Sequence, residues 1–325
     1  MGRPLKYHPH GAVLFVTLSV EEGLFLLSNP LCQLIVTSCL ARAQALYPVR
    51  VAHAICEGTH IHMILVVDNP EDVHQFIGYF KAESAHRFNR VLGRQKRTVW
   101  CEGYDSPIVL TMVRAMVAIA YLYANPAKDN LEETVDKYPG FSTWKMFNKG
   151  EHVRRWKVAP RSFFRALPED CQNLRGYSKD AERILSSSRT SHEFKIEPNS
   201  WLEAFGVVSP EAQAEVNAKL IERIRTLEAR AQKKRKEQGK RVMGRERLLA
   251  QPIDTLYRPK RSGRRMWALS ENRAKRVAFI NFLKKLITEA RRVRDRWRIG
   301  DFSERYPLGL FPPAMRKLGE PISVM

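Results

Sequence analysis

Residues 49–67, VRVAHAICEGTHIHMILVV, hold the feature that most restricts what this chain can fold into. Two runs rich in β-branched and apolar residues, Val49–Cys56 and His60–Val67, flank a turn at Glu57-Gly58. That layout predicts a β-hairpin. The flanking chain predicts what covers it. Ala12–Val20 alternates as a strand does, and Asn29-Pro30 forms a cap and first-turn pair ahead of a helical run through residue 47. Asp68–Asp72 starts a second helix with apolar positions at Val73, Phe76, Ile77, Phe80 and Phe88, and Gly93 ends it. Arg97–Cys101 reads as a short strand. Leu110–Asn125 reads as an apolar helix that stops at Pro126, because the residue before proline is pushed out of the α region. The order β-α-β-β-α-β-α predicts an α+β fold of the ferredoxin-like, split β-α-β kind: an antiparallel sheet with helices packed on one face.

The charge divides the chain. Between Lys219 and Arg298 stand 27 Lys and Arg against 8 Asp and Glu, so this stretch carries nearly all of the net +21. The first 210 residues are close to neutral and more apolar. We therefore expect a catalytic-type domain over 1–177, a polar linker over 178–209 and a basic, mostly helical extension over 210–325. Within the extension, Pro210–Arg241 reads as a charged helix with a thin stripe of Val216, Leu220, Ile224 and Leu227. Arg258–Arg265 reads as a basic linker and Asn272–Trp297 as a second helix. A charge of this size implies an anionic polymer, nucleic acid or a membrane surface. The extension has no helix-turn-helix or zinc module, so it predicts affinity and says nothing of base specificity.

No run of about 18 apolar residues occurs, so no membrane span is expected. The N-terminus lacks a signal-peptide layout and a myristoylation signal. Five widely spaced cysteines without a C-x-x-C predict a reduced, cytoplasmic protein with no zinc finger.

Side chains in a strand alternate faces, so His60 and His62 point the same way, about 7 Å apart at Cα. Two imidazoles so placed can share a divalent cation; the same pattern also arises in strands that hold none. On the apolar helix, Tyr121 and Asn125 are four residues apart and project from one face. An Asn carbonyl oxygen suits Mg²⁺ or Mn²⁺, and a tyrosine hydroxyl beside such a cation can attack phosphorus. The plainer alternative makes Tyr121 and Tyr123 core residues at a helix end and Asn125 a cap.

Together, these residues resemble the HUH single-tyrosine transposases, in particular the REP-associated tyrosine transposases, over roughly residues 7–150. The resemblance rests on His60-Ile61-His62, on YFKAESAHRFNRVLG followed by Trp100, on Tyr121-Leu122-Tyr123-Ala124-Asn125-Pro126, and on the trailing FSTWKMF. It implies an HUH fold and a bacterial, nucleoid-associated enzyme that cleaves and rejoins single-stranded, hairpin or repeat DNA. His60, His62 and Asn125 would hold Mg²⁺ or Mn²⁺, and Tyr121 would form a 5′-phosphotyrosine link. Tyr121 is favoured over Tyr123, which points about 200° away around the helix. Two departures stand out: Asn-Pro-Ala-Lys-Asp-Asn where the family has Asn-Pro-Val-Arg/Lys-Ala-Gly, and Glu57-Gly58-Thr59 in place of a proline-containing turn. Whether the chain acts as a monomer or a homodimer stays open.

Candidate phosphate contacts are Lys81, Arg87, Arg90, Arg94, Lys96 and Arg97 around the second helix, and Lys233, Lys234, Arg235, Lys236, Arg261, Arg264 and Arg265 in the extension. Phe88 and Trp100 could stack bases or belong to the core. Two alternatives to the transposase remain. One is a non-catalytic DNA-binding protein that kept the fold, although His60, His62, Tyr121 and Asn125 are all present. The other is a relaxase or replication initiator, disfavoured because no P-loop appears.

Overall fold

The computed structural model describes residues 5–95, 97–151, 153–157, 159, 161–166, 193–257 and 266–312. The hairpin forms as its sequence dictates: β2 (Arg50–Glu57) and β3 (His60–Val66) pair antiparallel, with Glu57 opposite His60 and Ile55 opposite His62. Strand β1 (Val13–Ser19) pairs with the other edge of β3, setting Thr17 opposite His62 and Ser19 opposite His60. The fourth strand is β4, Ile108–Val109, rather than residues 97–101. That earlier segment makes only an isolated bridge, Val20 to Trp100, and buries Trp100 between Phe80 and Phe88. It thus serves the core and not the ladder. A fifth strand, β5 (Ala268–Leu269), comes from the extension and joins β4 in parallel. The order is β2-β3-β1-β4-β5.

Alternation along the strands sends two sets of apolar side chains to opposite faces. Leu14, Val16, Leu18, Ile61, Met63 and Leu65 meet α1 (Pro30–Leu46) and α2 (Pro70–Val91). Both helices start on asparagine caps. Asn29 accepts from the backbone of Leu31 and Cys32, and Asn69 from Glu71. The other face is covered too, which the split β-α-β pattern alone does not foretell. Val13, Ile55, Ile64 and Val66 pack against α3 (Met112–Lys128), and behind it lies α4 (Pro210–Glu237) through Leu220 and Ile224. The thin stripe of α4 is thus a helix-packing seam. The second extension helix, α5 (Arg273–Arg298), buries Leu283, Ala290 and Val293.

The α3 helix does not stop at Asn125. It runs through Pro126 to Lys128. Proline removes one N–H and clashes with the preceding turn, but bonds after the proline offset the loss. Asp129 N donates to Asn125 O at 2.8 Å and Leu131 N to Pro126 O at 2.8 Å. The extension holds this helix end from outside. The Arg235 guanidinium donates to Ala127 O at 2.9 Å and to Asn130 Oδ1 at 3.3 Å, and pairs with Glu133. Met243 N and Gly244 N bond Asn130 O and Leu131 O.

Tyr123 faces the core, fully buried, where its hydroxyl links His53 Nδ1 at 2.8 Å to Thr143 Oγ1 at 2.7 Å. Burial holds the His53 and His8 imidazoles neutral, each pushed down to about 3. Their folded values lie below the ordinary 6.5. As the pH falls below 6.5 the unfolded chain takes up protons that the folded chain refuses. The stability these residues leave intact above pH 6.5 is therefore lost on the way down to about 3, at ~1.4 kcal/mol per pH unit for each. Urea midpoints at pH 7, 5 and 4 should fall accordingly, and His53→Gln should flatten the decline. An equal decline in that variant removes His53 from the account.

Candidate active site

Register builds the site. Thr17, Glu57, His60 and His62 come from three adjacent strands and share the sheet face that α3 covers. Glu57, His60 and His62 place one ligand atom each within 4.8 Å of one another. His60 Nε2 lies 3.8 Å from Glu57 Oε2, and the two imidazole rings are 4.6 Å apart at an interplanar angle of 76°. The Thr17 hydroxyl engages His62 Nδ1 at 2.9 Å, so the buried Nε2 is the nitrogen turned to the cluster, and it has no hydrogen-bond partner. Both Glu57 carboxylate oxygens are likewise buried and unpartnered. Buried polar atoms are normally satisfied. Buried ligand atoms of Glu57 and His62 that lack a hydrogen-bond partner, with His60 beside them, are what a cation would satisfy, and His/His/carboxylate is a chemically competent donor set. Those residues fit a metal ion.

Glu57 was not among the ligands read from sequence, where it served only as a turn residue. The signal was present all the same. A two-residue turn at Gly58-Thr59 sets residues 57 and 60 opposite each other, and cross-strand partners share a face. Gly58 has a second role: a Cβ there would lie 1.9 Å from Phe25 Cε2. Gly58→Ala must displace the Phe25 ring or the turn, at about 1–3 kcal/mol. A denaturation midpoint unchanged in that variant would show that the ring yields freely.

Tyr121 and Asn125 descend from α3 onto the same cluster. The Tyr121 ring meets His62 at 5.9 Å and Phe15 at 6.3 Å, both edge-on, while Phe15 stacks on His62 at 5.1 Å. Tyr121 is 40% exposed, whereas Asn125 is only 1% exposed. Asn125 is therefore part of the floor, not of a mouth at the helix end, because the helix continues past it. Its Oδ1 accepts from Lys128 Nζ at 3.2 Å, and that ammonium also lies 3.6 Å from the centre of the Tyr121 ring. Asn125 Nδ2 closes no hydrogen bond, though the side chain is near enough to Glu57 and Tyr121 to ease the ionisation of both.

Burial sets the protonation of the cluster. It raises the Glu57 carboxyl well above its ordinary value, helped by Asp129. His62 is pushed well down by burial, then by His60 and Lys128, and His60 is pushed down by burial. The imidazoles are thus neutral, the form in which they can ligate. The Tyr121 phenol is raised, by burial first and then by Asp129 and Glu57.

The expected phosphate contacts scatter. The α2 helix lies on the sheet face opposite the histidines. Lys81 Nζ donates to Cys101 O and Gly103 O, and Arg87 pairs with Glu83. Arg90 and Arg94 are half-buried, and Arg97 is exposed. Arg97 sits near the end of β1, where Glu21 N bonds Val99 O. In the extension Lys233, Lys234 and Lys236 are exposed, but Arg235 is buried in the helix-end bonds given above. A guanidinium so engaged is not presented to a phosphate. Lys96, Arg261, Arg264 and Arg265 lie outside the described residues.

No family model matches this sequence, and no curated protein does. Among solved structures, the chain is similar to a REP-associated tyrosine transposase bound to a REP hairpin. The identity is 17% and the TM-score 0.41, over 46% of this chain and 86% of that one. At that level of likeness the functional reading rests on the side chains of this chain. No helix among the described residues is long and apolar enough to cross a membrane.

Proposed function

We propose that the protein is a metal-dependent, single-strand DNA transposase or endonuclease that cleaves and rejoins DNA through Tyr121. The observation that carries this reading is the cluster of one ligand atom each from Glu57, His60 and His62 within 4.8 Å, with those of Glu57 and His62 buried and without a hydrogen-bond partner, beneath a half-exposed tyrosine. Glu57, His60 and His62, with Asn125 as a further ligand, would hold Mg²⁺ or Mn²⁺, which when bound polarises the scissile phosphodiester. Tyr121 Oη attacks phosphorus, and the P–O3′ bond breaks as the Tyr–O–P bond forms. The phenolic proton passes through solvent to the released 3′-oxygen. One phosphodiester is exchanged for another, so the reverse attack rejoins the strand without ATP. His62, fixed by Thr17, and Phe15 hold the Tyr121 ring from two sides.

Residues 1–177 would carry this chemistry and 210–325 would add affinity for single-stranded or hairpin DNA through exposed lysines such as Lys233, Lys234 and Lys236. Labelled single strands bearing short hairpins, incubated with the protein and Mn²⁺ and run on a denaturing gel, test the proposal. A metal-dependent covalent band supports it. Binding without such a band across a broad hairpin panel favours a non-catalytic DNA-binding protein on the same fold.

A further inference from the structure

We propose that Lys128 binds the DNA phosphate presented to Tyr121, a role that rests on the reading above. Residues 121, 125 and 128 follow the i, i+4, i+7 spacing that puts them on one face of α3. Asn125 forms the buried floor of that face, and Tyr121 and Lys128 form its exposed rim. An exposed lysine ordinarily keeps its long stem disordered in water, because fixing it costs rotamer entropy. Here the ammonium folds back to 3.6 Å from the Tyr121 ring centre and 3.2 Å from Asn125 Oδ1. Those contacts hold a positive charge at the open side of the nucleophile, against the ring whose hydroxyl meets the substrate.

Beside Lys128 on the rim, Asp129 is exposed and acidic. Glu57 and Asp129 both act on Tyr121, and Asp129 also acts on His60. A phosphodiester approaching Tyr121 passes the Asp129 carboxylate, and among the described residues Lys128 is the cation in contact with both Tyr121 and Asn125. The α3 helix places it there only because the helix continues through Pro126 for two more residues. An ammonium with three donors can retain Asn125 Oδ1 and give another hydrogen to a non-bridging phosphate oxygen.

The test uses the full chain carrying Tyr121→Phe, which keeps the ring under Lys128 and prevents covalent trapping. Affinity for a fluorescent single-stranded oligonucleotide is measured by anisotropy across a salt series, with and without Lys128→Met or Lys128→Arg. Removing one phosphate contact should weaken binding about 5- to 10-fold. It should also lower the magnitude of the log K versus log salt slope by about 0.7. The arginine variant should restore both. A slope shift of this kind reports a lost charge contact, which a purely structural lysine would not produce. Unchanged affinity and slope, an arginine variant as weak as methionine, or no single-strand affinity in the parent each overturns the assignment. The covalent-band assay with Tyr121 intact is read separately. Its failure beside a clear slope shift removes the chemistry and leaves the Lys128 contact standing.

Discussion

Replacing Tyr121 with phenylalanine should reduce formation of the covalent protein–DNA product at least about 10⁴-fold, the scale on which loss of a nucleophile is felt. The variant should fold as the parent does. The ring that packs edge-on to His62 and Phe15 is retained, and the hydroxyl it loses lies on a 40%-exposed side chain. Tyr123→Phe should behave in the opposite way. Its hydroxyl is buried between His53 and Thr143, so its removal strands the His53 ring nitrogen, while Thr143 keeps its bonds to Ala54, and lowers stability by about 1–3 kcal/mol. It should leave the covalent product intact at temperatures where the chain is folded. A product that persists in Tyr121→Phe and disappears in Tyr123→Phe would reverse the assignment of the nucleophile.

The second large effect concerns Glu57. Glu57→Gln should lower Mn²⁺ affinity, measured by calorimetry or by the paramagnetic resonance of free Mn²⁺, by at least about 100-fold, since even outer-shell partners contribute 10- to 100-fold. His62→Ala should do as much. Metal uptake by the parent should strengthen with rising pH. Burial holds the Glu57 carboxyl protonated above its ordinary range, so the ion must displace that proton. In the metal-free chain the sign is reversed. The folded value lies above the unfolded one, so this residue's contribution to stability is full below about 4.5 and is lost as the pH rises toward the folded value. Glu57→Gln should remove that dependence. Equal Mn²⁺ affinity in parent and variant would place the ion, or its absence, elsewhere.

Much of this was legible in local sequence. The hairpin follows from two apolar runs and a short turn, and the pairing of Tyr121 with Asn125 follows from helical spacing. The thin stripe of Val216, Leu220, Ile224 and Leu227 was visible on α4, but not that Leu220 and Ile224 pack it against the core beside α3. What escaped depends on long-range pairing. Ile108–Val109 and Ala268–Leu269 are strands of two residues, too short to carry a periodic signal, and they exist because they pair with β1 and with each other. Trp100 looked like part of a strand because a buried aromatic segment reads the same whether its backbone joins a ladder or only anchors a loop. Pro126 looked like a helix stop because local sterics say so, and bonds from beyond the helix overrule them. Arg235 sits in a run of four basic residues that reads as one surface, but only three of the four face water. Glu57 was masked by the turn it precedes, although the pairing of 57 with 60 was implied by that turn.

The strand at Ala268–Leu269 has a consequence for how the chain comes off the ribosome. The sheet that carries the histidines is not complete until residue 269 has been made, and the outer side of α3 stays bare until α4 has emerged. Loop closure over such a separation is slow. The first two hundred residues must therefore wait, with an apolar face exposed, for partners that come later. Such nascent intermediates attract chaperones and aggregate when none is at hand. A chain cut after residue 209 should accumulate in inclusion bodies, and supplying residues 210–312 in trans during synthesis should recover part of it in soluble form.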